Sequence, residues 1–141
     1  MISTATPDLS RYLFTLPDFA IFFICAIILL MVFLVVYTRL TPQKEWSLIK
    51  QGSNAAAISL SGATIGFAIP LGSAITYSQS LADMLVWGAV ALVIQWGTFV
   101  AVRLLIPGLP QRITDGETAA AITVAGISIA VGLLNAACMT Y

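Results

Sequence analysis

The sequence predicts an all-α polytopic membrane protein with four transmembrane helices, built from two parallel two-helix repeats. Of its 141 residues, 60% are hydrophobic and 9% are charged, whereas a soluble domain carries about 25% charged residues. The apolar runs are continuous, as in membrane helices, and do not alternate as in the strands of a membrane barrel. Six basic side chains balance six acidic ones without a basic cluster, a composition that excludes nucleic acid as a partner.

Four stretches of the chain are each long enough to cross a hydrocarbon core of about 30 Å, which takes roughly 20 residues of helix. In chain order they are Phe19–Thr38, Ala55–Tyr77, Met84–Val102 and Thr118–Met139. The chain therefore divides into a periplasmic tail or interfacial helix, a first two-helix repeat, an outer link and a second two-helix repeat. These four parts cover residues 1–18, 19–77, 78–82 and 83–141.

The first span is interpreted as a retained anchor, because the apolar core of a cleaved signal peptide has only about 7 to 15 residues. Ahead of this span, between Pro7 and Pro17, four apolar residues recur at helical spacing. They are Leu9, Tyr12, Leu13 and Leu16. This spacing suits a short helix that lies in the membrane interface, and a frayed tail is the alternative.

The loop after the first span places Trp and Ile side chains between two lysines, which predicts a short interfacial helix within residues 42–50. The second span then begins at Ser53 or Asn54, either of which can cap free backbone amides. Thr118 is the corresponding cap of the fourth span. Pro70 removes one hydrogen bond from the second span and predicts a bend there.

Basic residues are distributed unequally between the two sides of the predicted bundle. Five of them flank the two longer loops, and only Arg11 lies on the other side. The five are Arg39, Lys44, Lys50, Arg103 and Arg112. By the positive-inside rule, both loops face the cytoplasm and both termini face the periplasm. The same five side chains are the predicted contacts with lipid headgroups, and Arg39 and Arg103 could instead form a ring of charge in an oligomer.

The two halves of the chain align without a gap when one is shifted by 64 residues. Between residues 39–66 and 103–130, ten of 28 positions are identical. They include Gly52 with Gly116, which lie outside the predicted spans. The match predicts an internal duplication in which both two-helix units enter the membrane in the same direction.

Small side chains line one face of the second span, at Ser59, Gly62, Gly66 and Ser73. Their counterparts 64 residues later are Thr123, Gly126, Ala130 and Ala137. Lipid offers helices no hydrophobic reason to associate, so membrane helices usually associate through small residues that allow close approach. We therefore expect the second and fourth spans to form the centre of the bundle, and these faces to pack either within the protomer or between protomers. The bulky first span is expected to face lipid.

Reactive side chains are scarce in this sequence. No Asp, Glu, Lys, Arg or His lies inside a predicted span, which argues against a pump or a proton-coupled carrier. Without histidine or an acid pair on one helix face, the sequence predicts no metal, no cofactor, no catalytic residue and no enzyme. Gln95 and Asn135 are the strongest polar groups in the spans, and they either line a pore or bond across helices. Cys25 and Cys138 lie at matching depth, which would allow a disulfide, and the alternative is that they are small apolar fillers.

Several segments together carry a family resemblance. They are Tyr37–Pro42, Gln51–Ser59, Gly62, Gly66–Phe67 and Leu133–Cys138. In these segments the chain resembles the YjfL-type inner-membrane proteins, a bacterial family of unknown function, along nearly its whole length after about Leu16. The resemblance implies four transmembrane helices in two repeats, an inner-membrane location and an association with envelope stress through phage-shock-like neighbours. It implies no established activity and no catalytic residues.

Two functions are consistent with these observations. The first is a non-enzymatic inner-membrane protein that contacts the lipid bilayer, self-assembles as a homo-oligomer and has a structural role, or a protein partner, in envelope stress. The alternative is an oligomeric channel or facilitator for a small solute or ion. Its lumen would be lined by Ser59, Thr64, Gln95, Thr123, Ser128 and Asn135.

Overall fold

The computed structural model describes residues 8–42 and 44–139, and all regular secondary structure in these ranges is helical. Six helices follow one another along the chain. They are α1 (Leu9–Leu40), α2 (Glu45–Lys50), α3 (Asn54–Tyr77), α4 (Leu81–Leu105), α5 (Leu109–Thr114) and α6 (Thr118–Cys138). The helices α1, α3, α4 and α6 are long and apolar enough to cross a membrane. The predicted all-α class and the four predicted spans are confirmed.

α1 is one continuous helix of 32 residues with Pro17 inside it. At 1.5 Å per residue it is about 48 Å long, so it either tilts or extends beyond a hydrocarbon core of about 30 Å. Asp8 accepts the backbone N–H of Ser10 and begins the helix, and the helix continues through Pro17 although proline has no N–H to donate to the carbonyl of Leu13. The prediction of a separate interfacial helix or a frayed tail is therefore wrong for residues 8–18, while residues 1–7 lie outside the described ranges.

Two short helices, α2 and α5, follow α1 and α4. α2 confirms a short helix in the first long loop and starts at Glu45. The sequence reasoning missed α5, which begins after Gly108, a residue with a φ of +67°. α5 buries Leu109 and Ile113 completely. This apolar pair, four residues apart on one helix face, is the signal that identifies α5 in the sequence.

The turns that end α2 and α5 have the same backbone geometry. Gly52 has a φ of +85° and Gly116 a φ of +84°, a conformation that favours glycine. The residue after each glycine donates its N–H to the carbonyl five residues earlier, at 2.9 Å after Gly52 and at 3.0 Å after Gly116, as in a Schellman motif. α5 starts 64 residues after α2, and α6 starts 64 residues after α3.

The two long helices that follow these turns are capped differently. Ser53 is the N-cap of α3, and its Oγ accepts the N–H of Ala56 at 3.3 Å, which confirms one of the two predicted caps. The predicted Thr118 cap is wrong, because the N-cap of α6 is Glu117, which makes no side-chain cap bond. The Glu117 carboxylate instead accepts the Nε–H of Arg112 at 2.7 Å. This hydrogen bond and the charge of Arg112 lower the pKa of Glu117.

α3 is the central helix of the bundle. Its most extensive contact is with α6, and it also packs against α1 and α4, so the second and fourth spans form the centre as predicted. Phe33 of α1 stacks on Phe67 of α3 with ring centroids 4.6 Å apart, and Tyr37 of α1 meets the edge of Phe99 of α4 at 5.3 Å. α1 is otherwise largely exposed, as expected of a helix that faces lipid.

α3 and α6 run in the same direction. Gly62 lies against Ala125, and farther along both helices the Ser73 hydroxyl donates to the Ala136 carbonyl at 3.1 Å. The N-terminal ends of both helices therefore lie at the same end of the bundle. Because α2 and α5 lead directly into these ends, both short helices lie there too.

Candidate functional site

The closest helix packing in the protein lies between α3 and α6. A Cβ atom at Gly62 would lie 2.2 Å from the Cβ of Ala125, and a Cβ atom at Gly132 would lie 2.1 Å from the carbonyl oxygen of Gly66. Only glycine lets the two backbones approach this closely, which is a usual way for helices to associate in membranes. We call this region, with the α4 side chain that reaches it, the junction. It consists of Gly62, Gly66, Gln95, Ala125, Ser128 and Gly132.

Gln95 reaches the junction from α4. Its side chain is 2% exposed, and its Nε2 donates to the carbonyl oxygens of Gly66 at 2.7 Å and of Ser128 at 3.0 Å. A single amide group therefore connects α4 to both α3 and α6. A pore and an interhelical bond were the two roles open for Gln95 from the sequence, and the structure gives it interhelical hydrogen bonds.

The Gly66 carbonyl depends on a donor from outside its own helix. In an α-helix this carbonyl would accept the N–H of residue 70, but Pro70 has no N–H. An unsatisfied carbonyl is costly in hydrocarbon, and Gln95 satisfies it. The sequence predicts only a bend from Pro70, and it does not reveal that α4 supplies the missing hydrogen bond, because that donor is distant in the chain.

The four predicted packing residues of α3 are used inside the protomer. Gly62 and Gly66 belong to the junction, and Ser73 donates to a carbonyl of α6. Ser59 is fully buried, and its hydroxyl donates to a carbonyl of its own helix at 3.1 Å. The small face of α3 therefore serves to bring α6 close.

The four predicted packing residues of α6 lie elsewhere. All are exposed, and they are Thr123, Gly126, Ala130 and Ala137. A Cβ atom at Gly126 would meet nothing within 4 Å. Of the two alternatives left open by the sequence, packing within the protomer does not apply to these residues, because α6 turns Ala125, Ser128 and Gly132 toward α3. Two parallel helices bury equivalent faces only when a two-fold axis relates them. The contact of α3 with α6 is not two-fold, because Gly62 meets Ala125 and not its own counterpart Gly126.

Of the residues of the predicted lumen, Gln95 and Ser128 meet in the junction, where the Gln95 amide donates to the Ser128 carbonyl. Thr64 and Thr123 donate to carbonyls of their own helices at 2.7 and 2.8 Å. Thr123 is exposed, whereas Ser59 and Ser128 are buried. Asn135 is half-buried on α6, and its Nδ2 has no hydrogen-bond partner among the described residues.

The five side chains predicted to contact lipid headgroups lie at the end of the bundle that carries α2 and α5. Arg39, Lys50 and Arg103 are in the last turns of α1, α2 and α4. Lys44 precedes α2, and all four are exposed. Arg112 of α5 forms an ion pair with the N-cap residue of α6, and this hydrogen bond raises the pKa of the guanidinium.

Reactive groups are also sparse in the part of the chain that the structure describes. Within residues 8–42 and 44–139, no group of three or more His, Cys, Asp or Glu side chains could hold a metal ion. Cys25 is half-buried in α1, Cys138 is exposed at the end of α6, and both are free thiols.

The fold and the junction define the class of protein. It is a multi-pass α-helical membrane protein with four candidate spans, packed through glycines and one buried amide. The family described as Domain of Unknown Function (DUF350) matches residues 11–139. The chain therefore belongs to the DUF350 family, also known as UPF0719, and the resemblance recognised in the sequence is confirmed.

Two bacterial relatives cover most of the chain. The UPF0719 inner membrane protein YjfL of Escherichia coli strain K12 is 40% identical over 127 residues, which are 90% of this chain and 96% of the relative. The UPF0719 transmembrane protein YshE of Bacillus subtilis strain 168 is 27% identical over 124 residues, which are 86% of this chain and 92% of the relative. No solved structure matches the chain significantly.

Proposed function

We propose that this protein is a non-enzymatic component of the bacterial inner membrane that self-assembles and has a structural or partner role in the envelope-stress response. The observation that carries the proposal is that Thr123, Gly126 and Ala130, a set of small residues on α6, are exposed and lie outside the junction. The name of the Escherichia coli relative supports the location. The stress role is supported by the family resemblance in the sequence.

Self-assembly is supported by a surface that we call the outer face of α6, defined as Thr123, Gly126 and Ala130. All three residues are exposed. Small side chains leave the helix backbone accessible to another helix, and tight packing against them is favourable in lipid. The outer face of α6 is therefore better suited to a protein neighbour than the bulky surface of α1.

We favour this function over an oligomeric channel because the Nε2 group of Gln95 already has two acceptors, while its Oε1 is buried and has no hydrogen-bond partner among the described residues. Gln95 is buried and donates to two backbone carbonyls. The hydroxyls of Thr64 and Thr123 donate to their own helices. These groups support helix packing more directly than they support a wet pathway.

The protein is further proposed to consist of two parallel two-helix repeats, with both termini in the periplasm. The repeat is supported by the 64-residue spacing between α2 and α5 and between α3 and α6. It is also supported by the matching turns at Gly52 and Gly116. The orientation is supported by the basic residues at the end that carries α2 and α5, under the positive-inside rule.

The proposed orientation predicts which residues a membrane-impermeant thiol reagent reaches in intact cells. In a variant with Cys25→Ala and Cys138→Ala, a single Ser47→Cys or Gln111→Cys change is expected to resist labelling, because both sites would face the cytoplasm. Ser80→Cys, in the link between α3 and α4, is expected to react. All three positions are exposed, so burial does not confound the comparison. The reverse pattern would show that the orientation is inverted.

If the protein self-associates through the outer face of α6, a bulky side chain on that face should lower the mass of the assembly. Gly126→Leu is expected to reduce the assembly to monomers in native mass spectrometry from detergent, because the added side chain keeps a neighbouring helix away. Gly97→Leu on α4 is the matched control. A Cβ at either glycine meets nothing within 4 Å in the protomer, so both variants should fold. An unchanged assembly in Gly126→Leu would contradict the proposal.

A further inference from the structure

A cavity of about 510 Å³ opens between α1, α2 and α3 on the side of α3 that α6 does not cover. Its volume lies in the range of about 300–1,000 Å³ that is typical of binding sites. Its walls are mainly apolar, and they include Leu34, Ile49, Leu60, Ser61 and Thr64. None of the lining residues within the described ranges is charged. We call it the α1–α3 groove.

The second half of the chain has the same surface, but there it is covered. Eight residues line the α1–α3 groove. Of the positions 64 residues later, Pro110 and Ile129 are half-buried, and the other six are buried with exposed fractions from 0% to 9%. These six are Thr98, Ile113, Ala121, Val124, Ala125 and Ser128. Of these, Ala125 and Ser128 contact Gly62 and Gly66 of α3. In the second half, therefore, α3 lies against the surface that corresponds to the α1–α3 groove.

The surface that would fill the α1–α3 groove is also present and exposed. The residues 64 positions after Gly62 and Gly66 are Gly126 and Ala130, which belong to the outer face of α6. A Cβ at Gly126 meets nothing within 4 Å, unlike a Cβ at Gly62. Each half of the chain thus has one groove-type surface and one small-residue face. Within the protomer, the small face of α3 covers the groove-type surface of the second half. The α1–α3 groove and the outer face of α6 remain open.

We propose that the outer face of α6 of one copy inserts into the α1–α3 groove of the next copy, so that the protomers assemble head to tail. This inference rests on the self-association proposed above and specifies its two surfaces. The contact between protomers repeats the contact within the protomer, with Gly126 against Ser61 of the neighbour and Ala130 against its Thr64. The occupant is a second copy of the chain, because its α6 carries Gly126 and Ala130. These residues correspond to Gly62 and Gly66, which cover the equivalent surface in the second half of the chain.

The arrangement extends the assembly in the membrane plane. A contact between two different surfaces is heterologous, and such contacts form rings when the rotation between neighbours closes. Neighbouring positions on a helix are about 100° apart, so the two contact faces of α3, one at Gly62 and one at Ser61, point in different directions. Successive copies therefore turn about an axis along the membrane normal, as parallel repeats do.

Disulfide cross-linking in native membranes tests which surfaces meet. Ser61→Cys and Gly126→Cys are introduced into separate copies that carry different tags, each with Cys25→Ala and Cys138→Ala, and the two copies are expressed together and oxidised with copper phenanthroline. A covalent dimer that carries both tags is expected. Each variant expressed alone is expected to stay monomeric on a denaturing gel, because a heterologous contact does not bring identical positions together. Val93→Cys, 60% exposed on α4, replaces Gly126→Cys as the control that should not cross-link to Ser61→Cys.

The outcomes separate this inference from the proposed function. If native mass spectrometry shows an oligomer but Gly126→Cys links to itself and not to Ser61→Cys, the contact is two-fold and the head-to-tail arrangement is wrong, while self-association stands. An oligomer without either cross-link also overturns the arrangement. A protein that is monomeric in lipid nanodiscs and in detergent overturns both proposals.

Discussion

Gly132→Ala is expected to destabilise the protein by about 3 kcal/mol, the upper end of the range for an overpacked core. The added methyl group would lie 2.1 Å from the carbonyl oxygen of Gly66. That oxygen belongs to the backbone and cannot move away as the end of a flexible side chain could. The same oxygen accepts the Gln95 hydrogen bond, so separation of α3 from α6 also disturbs the contact with α4. The measurement is the free energy of unfolding in mixed micelles, followed by circular dichroism during a titration with denaturing detergent.

Gly97→Ala is the matched control for this experiment, because it makes the same chemical change on α4, where a Cβ meets nothing within 4 Å. The control is expected to change the stability by no more than about 1 kcal/mol and in the stabilising direction, since alanine favours a helix over glycine. Gly62→Ala should resemble Gly132→Ala, as its Cβ would lie 2.2 Å from that of Ala125. Equal stability of Gly132→Ala and Gly97→Ala would contradict the close approach of α3 and α6.

Gln95→Leu is expected to lower the free energy of unfolding by about 1 to 2 kcal/mol, near the upper end for interhelical hydrogen bonds in membranes. Leucine is similar in size, so the loss reflects the hydrogen bonds to Gly66 and Ser128 more than a cavity. The Gly66 carbonyl should dominate the effect, because Pro70 deprives it of its helical donor. The Ser128 carbonyl has no proline four residues later.

A double-mutant cycle isolates this dependence. Pro70→Ala restores an N–H that can donate to the Gly66 carbonyl, so the loss caused by Gln95→Leu should be smaller in that background, with a coupling energy of about 1 kcal/mol. Any cavity left by Pro70→Ala is present in both members of the comparison and cancels. Strict additivity of the two substitutions would show that Gln95 does not compensate for the proline.

Most of the fold was predictable from the sequence, and the exceptions have local causes. The spans were predictable because each uncharged run is continuous and long enough for the hydrocarbon core. α5 was missed because its six residues hold only one clear pair of buried apolar side chains, Leu109 and Ile113. The helix that continues through Pro17 was missed because proline often ends a helix pattern, although its fixed φ is itself helical.

The candidate site was predictable only in its composition. The sequence identified Gln95, Gly62 and Gly66 as notable, since polar and small residues in a span usually mediate packing. It did not identify the connection between Gln95 and Pro70, or the role of Gly132. Both depend on contacts between residues that are 29 and 66 positions apart in the chain, and the periodicity of a sequence does not reveal such contacts.

The sequence by itself determined the number of spans, their helical nature and the presence of small-residue faces, because hydrophobicity and backbone satisfaction in lipid are properties of each segment alone. Only the tertiary structure decided which face of α6 meets α3. Gly126 and Ala130 repeat the pattern of Gly62 and Gly66, yet α6 presents Ala125 and Ser128 to α3. The physical reason is that lipid provides no hydrophobic driving force that would bury a small-residue face. The face that a helix buries therefore depends on the shape of the helix that packs against it.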